Sequence, residues 1–544
     1  MTVRRLVGGL AGAAAMIALV NVASRVVGFG RWLVMLSEVG ADTVGNAYSS
    51  ANMLPNVLFE VVAGGALAGA VVPLVAAPLA RSMRDEVDRI ASALLGWALA
   101  VLVPLAVLVA IVAHPLVGLF MQGKPEAEVD LAATFLTTFA AQIPLYGVGV
   151  VLTGVLQAQR RFLAQALAPL LNSLVVIGVF VVFGRLVTAT DDPATVSAGA
   201  VALLGWGTTA GVAVMSLPLL WPVRRTGVRL RPTLRFPAGV ARRARALAVA
   251  GLGALLAQQV SVLAGLGMAN AFGEDGTVPV FLSTQAVYFL PYAVLAFPLA
   301  TATLPRLAEH AAREDMTAFA RLAAATTRSV LLVSVVGASV LMAVAPAVEV
   351  VFDAVADGDV TGMAAGLAWM APGLMGFALI LHLSRALYAL HRGRAAVLAT
   401  GAGWLVVAVA AVAAVPVFTG GGRDQTGTLA GLGLATSLGM TVAGVALLAA
   451  VVRAVGAPAA AGVGRSAGAL TIGGALGAVG GRLVTDAVPG DGWATALGAG
   501  VLGALACGVV VLAVAWVGDR GVLRALRDPR PTSEPRQGEA STVG

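Results

Sequence analysis

Apolar stretches of about 20 residues or more follow one another along nearly the whole chain, separated by short breaks of charged and turn-forming residues. A helix rises about 1.5 Å per residue, so about 20 such residues cross the hydrocarbon core of a bilayer. Fourteen segments meet this pattern: 9–36, 47–80, 90–119, 131–159, 163–187, 198–223, 241–270, 278–305, 324–348, 362–390, 394–418, 427–452, 467–486 and 492–517. The pattern therefore predicts an all-α polytopic membrane protein with 14 transmembrane helices. Arg4 and Arg5 before the first apolar run imitate a signal peptide, but Arg25 and Arg31 continue in the same stretch and no small-x-small cleavage site leads into a soluble domain. The stretch is predicted to remain as the first span.

The breaks alternate in charge. If the N-terminus is cytoplasmic, the cytoplasmic segments hold 29 of the 35 basic residues, whereas the outer loops hold only Lys124, Arg185, Arg423 and Arg482. Those outer loops are acidic instead, with Glu126, Glu128, Asp130, Glu274, Asp275, Asp353, Asp357 and Asp359 among them. A wrong helix count would break this alternation, so both termini are expected inside. Composition agrees: 59% of the 544 residues are hydrophobic and 11% charged, against about 25% charged in soluble domains, which excludes a soluble enzyme and a disordered chain. The net charge of +8 is assigned to cytoplasmic loops, not to nucleic-acid binding. Lys124 is the only lysine, a skew that points to a GC-rich bacterial genome. The single cysteine, Cys507, excludes an internal disulfide and a cysteine metal site.

The longest cytoplasmic break divides the chain. Residues 1–223 are expected to form an N-lobe of six spans, 224–245 a basic linker, 246–418 spans seven to eleven of a C-lobe, 419–453 the twelfth span completing it, 454–518 a final pair, and 519–544 a disordered cytoplasmic tail. Met53-Leu54-Pro55 in span two resembles Phe289-Leu290-Pro291 in span eight, and Leu156-Gln157-Ala158-Gln159-Arg160-Arg161 resembles Leu387-Tyr388-Ala389-Leu390-His391-Arg392. Spans six apart keep the same direction, so these matches predict two six-helix lobes in a parallel pseudo-twofold repeat with a cavity between them, plus two C-terminal helices.

Charge inside a span is costly and normally faces a cavity or a partner. Arg25, Arg31 and Glu60 are the three charges that the breaks and helix ends do not accommodate. Two guanidiniums suit a phosphate or diphosphate, because each donates in a fork. Glu60 is read either as an ion-pair partner of those arginines or as a protonatable coupling group. Asn21 lies on the same span as the arginines. Ser49, Asn52, Asn56 and Glu60 share one face of span two, and the repeat places Gln285, Tyr288 and Tyr292 on the equivalent face of span eight. These stripes, with Arg385 near the end of span ten, are expected either to line the cavity or to hydrogen-bond between helices. No zinc spacing, phosphate-binding loop or nucleophile elbow is present, so the chain is expected to be a transporter without a cofactor or bound metal, and not an enzyme.

The residues carry a family resemblance. Ser24-Arg25-Val26-Val27-Gly28-Phe29-Gly30-Arg31, Leu54-Pro55-Asn56, Gly65-Ala66, Val72-Pro73, Gly154-Val155-Leu156-Gln157, Arg161-Phe162, Ala168-Pro169 with Asn172, Leu304-Pro305-Arg306-Leu307 and Arg385-Ala386-Leu387-Tyr388-Ala389-Leu390 occur in order across spans one to eleven. This series resembles the MurJ (MviN) lipid II flippase family, within the multidrug/oligosaccharidyl-lipid/polysaccharide exporter superfamily. The resemblance implies inner-to-outer flipping of the undecaprenyl-diphosphate-linked muropeptide (lipid II) in a bacterial plasma membrane by alternating access. It implies that Arg25 and Arg31 bind the diphosphate and that spans thirteen and fourteen form a groove for the lipid tail. Membrane lipids and wall-synthesis proteins are further implied partners. The chain departs from the family at Phe59 and Glu60, where many members have arginines. It departs again at Asn46, which aligns with an acidic residue, and at Gln285–Ala286, near a span-eight arginine. It also lacks an evident counterpart of the sodium-site carboxylates, so coupling to the membrane potential or to a cation is left open. The alternatives are export of another polyprenyl-diphosphate-linked glycan, drug/cation antiport, and a non-transporting scaffold of wall synthesis.

Overall fold

The computed structural model describes residues 2–61, 68–187, 192, 196–490 and 492–518. The expected tail, 519–544, lies outside them. Every element among the described residues is helical, apart from one isolated bridge between Ala41 and Gly358. The first half comprises α1 (Thr2–Glu38), α2 (Thr43–Phe59), α3 (Ala68–Ala80), α4 (Arg84–Ile111), α5 (Ala113–Phe120), α6 (Glu126–Phe139), α7 (Gln142–Ala158), α8 (Phe162–Leu186), α9 (Ala198–Ser216) and α10 (Leu220–Arg224). The second comprises α11 (Val240–Phe272), α12 (Thr277–Pro291), α13 (Phe297–Ala312), α14 (Met316–Asp353), α15 (Met363–Met370), α16 (Gly373–Ala389), α17 (Gly393–Phe418) and α18 (Gln425–Val455). A closing pair, α19 (Val463–Ala487) and α20 (Trp493–Gly518), packs against α14.

Twelve helical stretches among the described residues are long and apolar enough to cross a membrane, and the pair α15–α16, bent by 48°, makes a thirteenth. The predicted second span, 47–80, falls on α2 and α3 with residues 62–67 between them outside the described set, so the count of fourteen is approximate. Large apolar side chains stand outward on these helices, among them Ile111, Val417 and Val517 at 74–77% exposure, as suits a lipid solvent. Where helices meet, small residues bring the backbones together. A β-carbon added at Gly403 of α17 would lie 2.7 Å from the Gly439 carbonyl of α18, and Gly439 faces Gly403 and Val407 just as closely.

The repeat is visible in the turns. Among the described residues, four non-glycine residues occupy the left-handed region: Ser82 (φ 58°), Arg160 (φ 59°), Glu314 (φ 57°) and His391 (φ 56°). They form two pairs, 82 with 314 and 160 with 391, at nearly the same offset. α7 and α16 end in the same Schellman turn, with Arg161 N–H donating to the Leu156 carbonyl (2.9 Å) and Arg392 N–H to that of Leu387 (2.8 Å). α3 and α13 end alike, with Met83 N–H donating to Pro78 and Asp315 N–H to His310, both at 3.0 Å. Breaks recur as well. α6 and α7 part at Ala140–Ala141, and α15 and α16 at Ala371–Pro372. Pro291 removes a donor from its helix, and a π-helical turn, Tyr292–Ala296, absorbs the defect before α13.

The linker does not hang free. Residues 229–234 run along α4: Asp88 accepts from Arg229 N–H (3.0 Å), Ser92 Oγ accepts from Arg231 N–H (2.9 Å), and Trp97 Nε1 donates to the Leu234 carbonyl (3.0 Å). Gly96 leaves the room that the Thr233 backbone occupies.

Candidate functional site

α1 carries Arg25 and Arg31 about 9 Å apart along its axis. Arg25 is exposed, and its Cζ lies 5.6 Å from the centroid of the Phe297 ring, at the start of α13. The Cζ of Arg385, from α16, lies 5.9 Å from the same centroid, while its Nη1 donates to Thr301 Oγ1 at 3.0 Å. The charges of Arg25 and Arg385 also both act on the Tyr292 hydroxyl, and the Tyr292 ring meets Phe297 edge-on at 6.4 Å. Thus one arginine from each half converges on one aromatic ring, in the cation–π range for both. Among the described residues no carboxylate lies within ion-pair distance of Arg25, Arg31 or Arg385. Two like charges converging on one ring, with no counter-ion among the described residues, make a setting that an anion could neutralise.

The other predicted residues divide. Arg31 lies over Trp32, at 5.5 Å, apart from the Arg25–Arg385 pair. Asn21 is exposed one turn before Arg25. Glu60, half-buried just beyond α2, forms no ion pair with either arginine among the described residues. The two polar stripes have different surroundings. Ser49 is buried at 3% exposure, and the Asn52 carbonyl accepts from Asn56 Nδ2 (2.9 Å). Asn56 Oδ1 in turn accepts from the Tyr146 hydroxyl of α7 (3.1 Å), within the same half. Gln285 and the buried Tyr288 line a small cavity of about 160 Å³ together with Met53, Gln258, Phe377 and Trp404. Tyr292, the first residue of the π-helical turn after Pro291, packs edge-on against Phe377 of that cavity (4.7 Å) and against Phe297 (6.4 Å). Phe297 is the residue that sequence reasoning missed. Nothing in its local sequence marks it, because its place beside the arginines comes from where the π-helical α12–α13 connection sets it.

The acidic loops are not wholly solvent-facing. Glu128, in a predicted outer loop, is fully buried at 0% exposure. Glu128 belongs to a polar seal that joins the two halves on the acidic face. Asn46 Nδ2 donates to Glu128 Oε1 (2.7 Å) and to Asn270 Oδ1 (2.9 Å), while Asn46 Oδ1 accepts from Val278 N–H (3.2 Å). Lys124 Nζ pairs with Asp275 at 2.7 Å, with the lysine side chain wholly buried. Arg423 Nη2 donates to the Gly123 carbonyl (2.6 Å), and Asp357 N–H donates to the Leu36 carbonyl (2.8 Å). An apolar cluster lies beneath this seal and is also shared by both halves, with Met35, Val44 and Ala47 beside Val278, Val360 and Met363. A second cluster, toward the arginine-rich face, is confined to the segment from Ala296 to Ala515. The halves are thus welded at their acidic ends.

The profile of the family "Lipid II flippase MurJ" matches residues 35–490. The chain belongs to this family. Among curated proteins it is 27% identical over 292 residues to a probable lipid II flippase MurJ of Rhizobium meliloti (strain 1021), an alignment covering 52% of each chain. It is 25% identical over 293 residues to a protein of the same description from Rhizobium tropici, again over 52% of each. The alignable part of the chain therefore spans about half the length of the curated relatives it matches. Among solved structures, its fold is similar to a lipid II flippase MurJ in an inward closed conformation, with a TM-score of 0.73 at 17% identity, covering 94% of this chain and 100% of that one. It is also similar to a multidrug resistance MATE family transporter in an inward-facing conformation, with a TM-score of 0.65 at 15% identity over 80% and 98%.

Proposed function

We propose that this chain carries lipid II from the inner to the outer leaflet of a bacterial plasma membrane by alternating access. The arginine-rich face, with both termini, lies in the cytoplasm. The two halves act as lobes that rock about the linker, and Arg25 and Arg385 receive the diphosphate between them. One observation carries this reading: two guanidiniums, one from each half, share the Phe297 ring with no carboxylate among the described residues to neutralise them. A diphosphate accepts forked donation from both and removes their mutual repulsion, and it tells each lobe that the other is engaged. Arg31, higher on α1, is placed to take over the head group as the lobes tilt. The apolar recess of about 450 Å³ between α19 and α20, lined by Ala469, Ile472, Ala513, Val514 and Val517, suits a polyprenyl tail running beside the bundle. The same unneutralised charges disfavour export of a cationic drug.

The test is complementation of a flippase-depleted strain by wild type, Arg25→Ala, Arg31→Ala and Arg385→Ala, with each protein quantified in the membrane. Wild type restores growth and clears lipid-linked precursor from the inner leaflet, whereas Arg25→Ala and Arg385→Ala do not. Full rescue by the Arg25→Ala/Arg385→Ala double variant would refute the assignment.

A further inference from the structure

The seal contains a buried carboxylate that the anion site does not use. Glu128 lies in the first turn of α6 and is fully buried. Its Oε1 accepts from Asn46, but its Oε2 is shut from water and has no hydrogen-bond partner. The charged groups acting on it are Lys124, Asp275 and Arg423. Neither cation serves it directly, since Lys124 is engaged by Asp275 at 2.7 Å and Arg423 by the Gly123 carbonyl. An ionised carboxylate with one oxygen sealed away and undonated is costly, and a protonated one, even with its O–H lacking an acceptor, costs much less. The neighbours on the far side of the seal, Asn270 and the start of α12, come from the other half of the molecule, so this environment exists only while the halves are closed.

We propose that Glu128 is a proton-binding site of the outer gate, holding one proton on its free carboxyl oxygen while the seal is closed and releasing it to the outer solution when the seal opens. Opening admits water, the carboxyl O–H bond breaks, and the proton leaves to the outside. Closing takes one proton back before Asn46 and Asn270 re-engage. The closed state binds more protons, so low external pH favours closure and high external pH favours opening. The placement of this face outside rests on the orientation proposed above; the proton site itself does not depend on which lipid is carried.

The experiment reads gate opening, not transport. In a Cys507→Ser background, Val278→Cys places a thiol beneath the seal, where the native side chain is 1% exposed. Gly492→Cys, exposed on the same face, serves as reference for reagent reactivity and for sidedness. Cells are labelled with a membrane-impermeant maleimide at external pH values of about 7.5 and about 5.5, and rates at 278 are divided by rates at 492. The ratio falls several-fold at the lower pH, within the limit of about tenfold per pH unit that one proton allows. Glu128→Gln, the neutral isostere, removes the dependence, and Asp130→Asn, on the same helix, which dissolves the exposed His114–Asp130 pair, retains it. A ratio independent of pH in the Glu128 protein, or the same dependence in Glu128→Gln, overturns the proposal. Failure to label position 492 from outside would instead overturn the orientation, and with it the external placement of the gate.

Discussion

Removing Asn46 should open the seal. Its side chain is 0% exposed and makes three cross-helix hydrogen bonds, to Glu128, to Asn270 and from Val278 N–H. Asn46→Ala deletes all three. In the open state water replaces the lost partners, so the penalty falls on the closed state alone. At about 1 kcal/mol net per hydrogen bond the loss is about 3 kcal/mol. That shifts the closed-to-open ratio by about a hundredfold, since about 1.4 kcal/mol is tenfold. The assay is pulsed electron–electron distance measurement between spin labels at Glu126→Cys and Val355→Cys, both exposed on the acidic face and on opposite halves. In nanodiscs the parent protein gives a short distance, and Asn46→Ala adds a longer, dominant one. A distribution unchanged by Asn46→Ala in a protein that still melts cooperatively would refute the reasoning, because it would mean that the apolar cluster beneath holds the halves together without the polar layer.

Two further expectations test the packing. Gly96→Val fills the space the Thr233 backbone occupies and should lift the linker off α4, which limited trypsin digestion would report as faster cleavage at Arg229, Arg231 and Arg235. Gly439→Val drives a side chain into Gly403 and Val407 at the α17–α18 contact and should cost about 1–3 kcal/mol, read as a lower melting temperature of the purified protein. Gly468→Ala is the neutral comparison for the second test, since nothing stands near the β-carbon it would add.

What could be read along the chain was what acts locally. A membrane span needs only a run of apolar residues long enough for the hydrocarbon core, so the helices follow from the order of residues. A charge within such a run stands out against its neighbours, and this is how Arg25 and Arg31 are found. The repeat is partly legible too, because turns that end equivalent helices leave equivalent residues at 160 and 391. Tertiary structure decided which of these polar groups meet. Arg385 belongs with Arg25 only because α1 and α16 converge on Phe297, a residue far along the chain from Arg25. Glu128 reads as one more loop charge until Asn46, 82 residues away, and Asn270 bury it. Conversely, Ser49 and Tyr288 share faces with polar neighbours and yet are buried, since helix periodicity says which residues point the same way but not what stands opposite. Hydrophobic length is a property of a segment; the partner of a buried charge is a property of the assembled pair of halves.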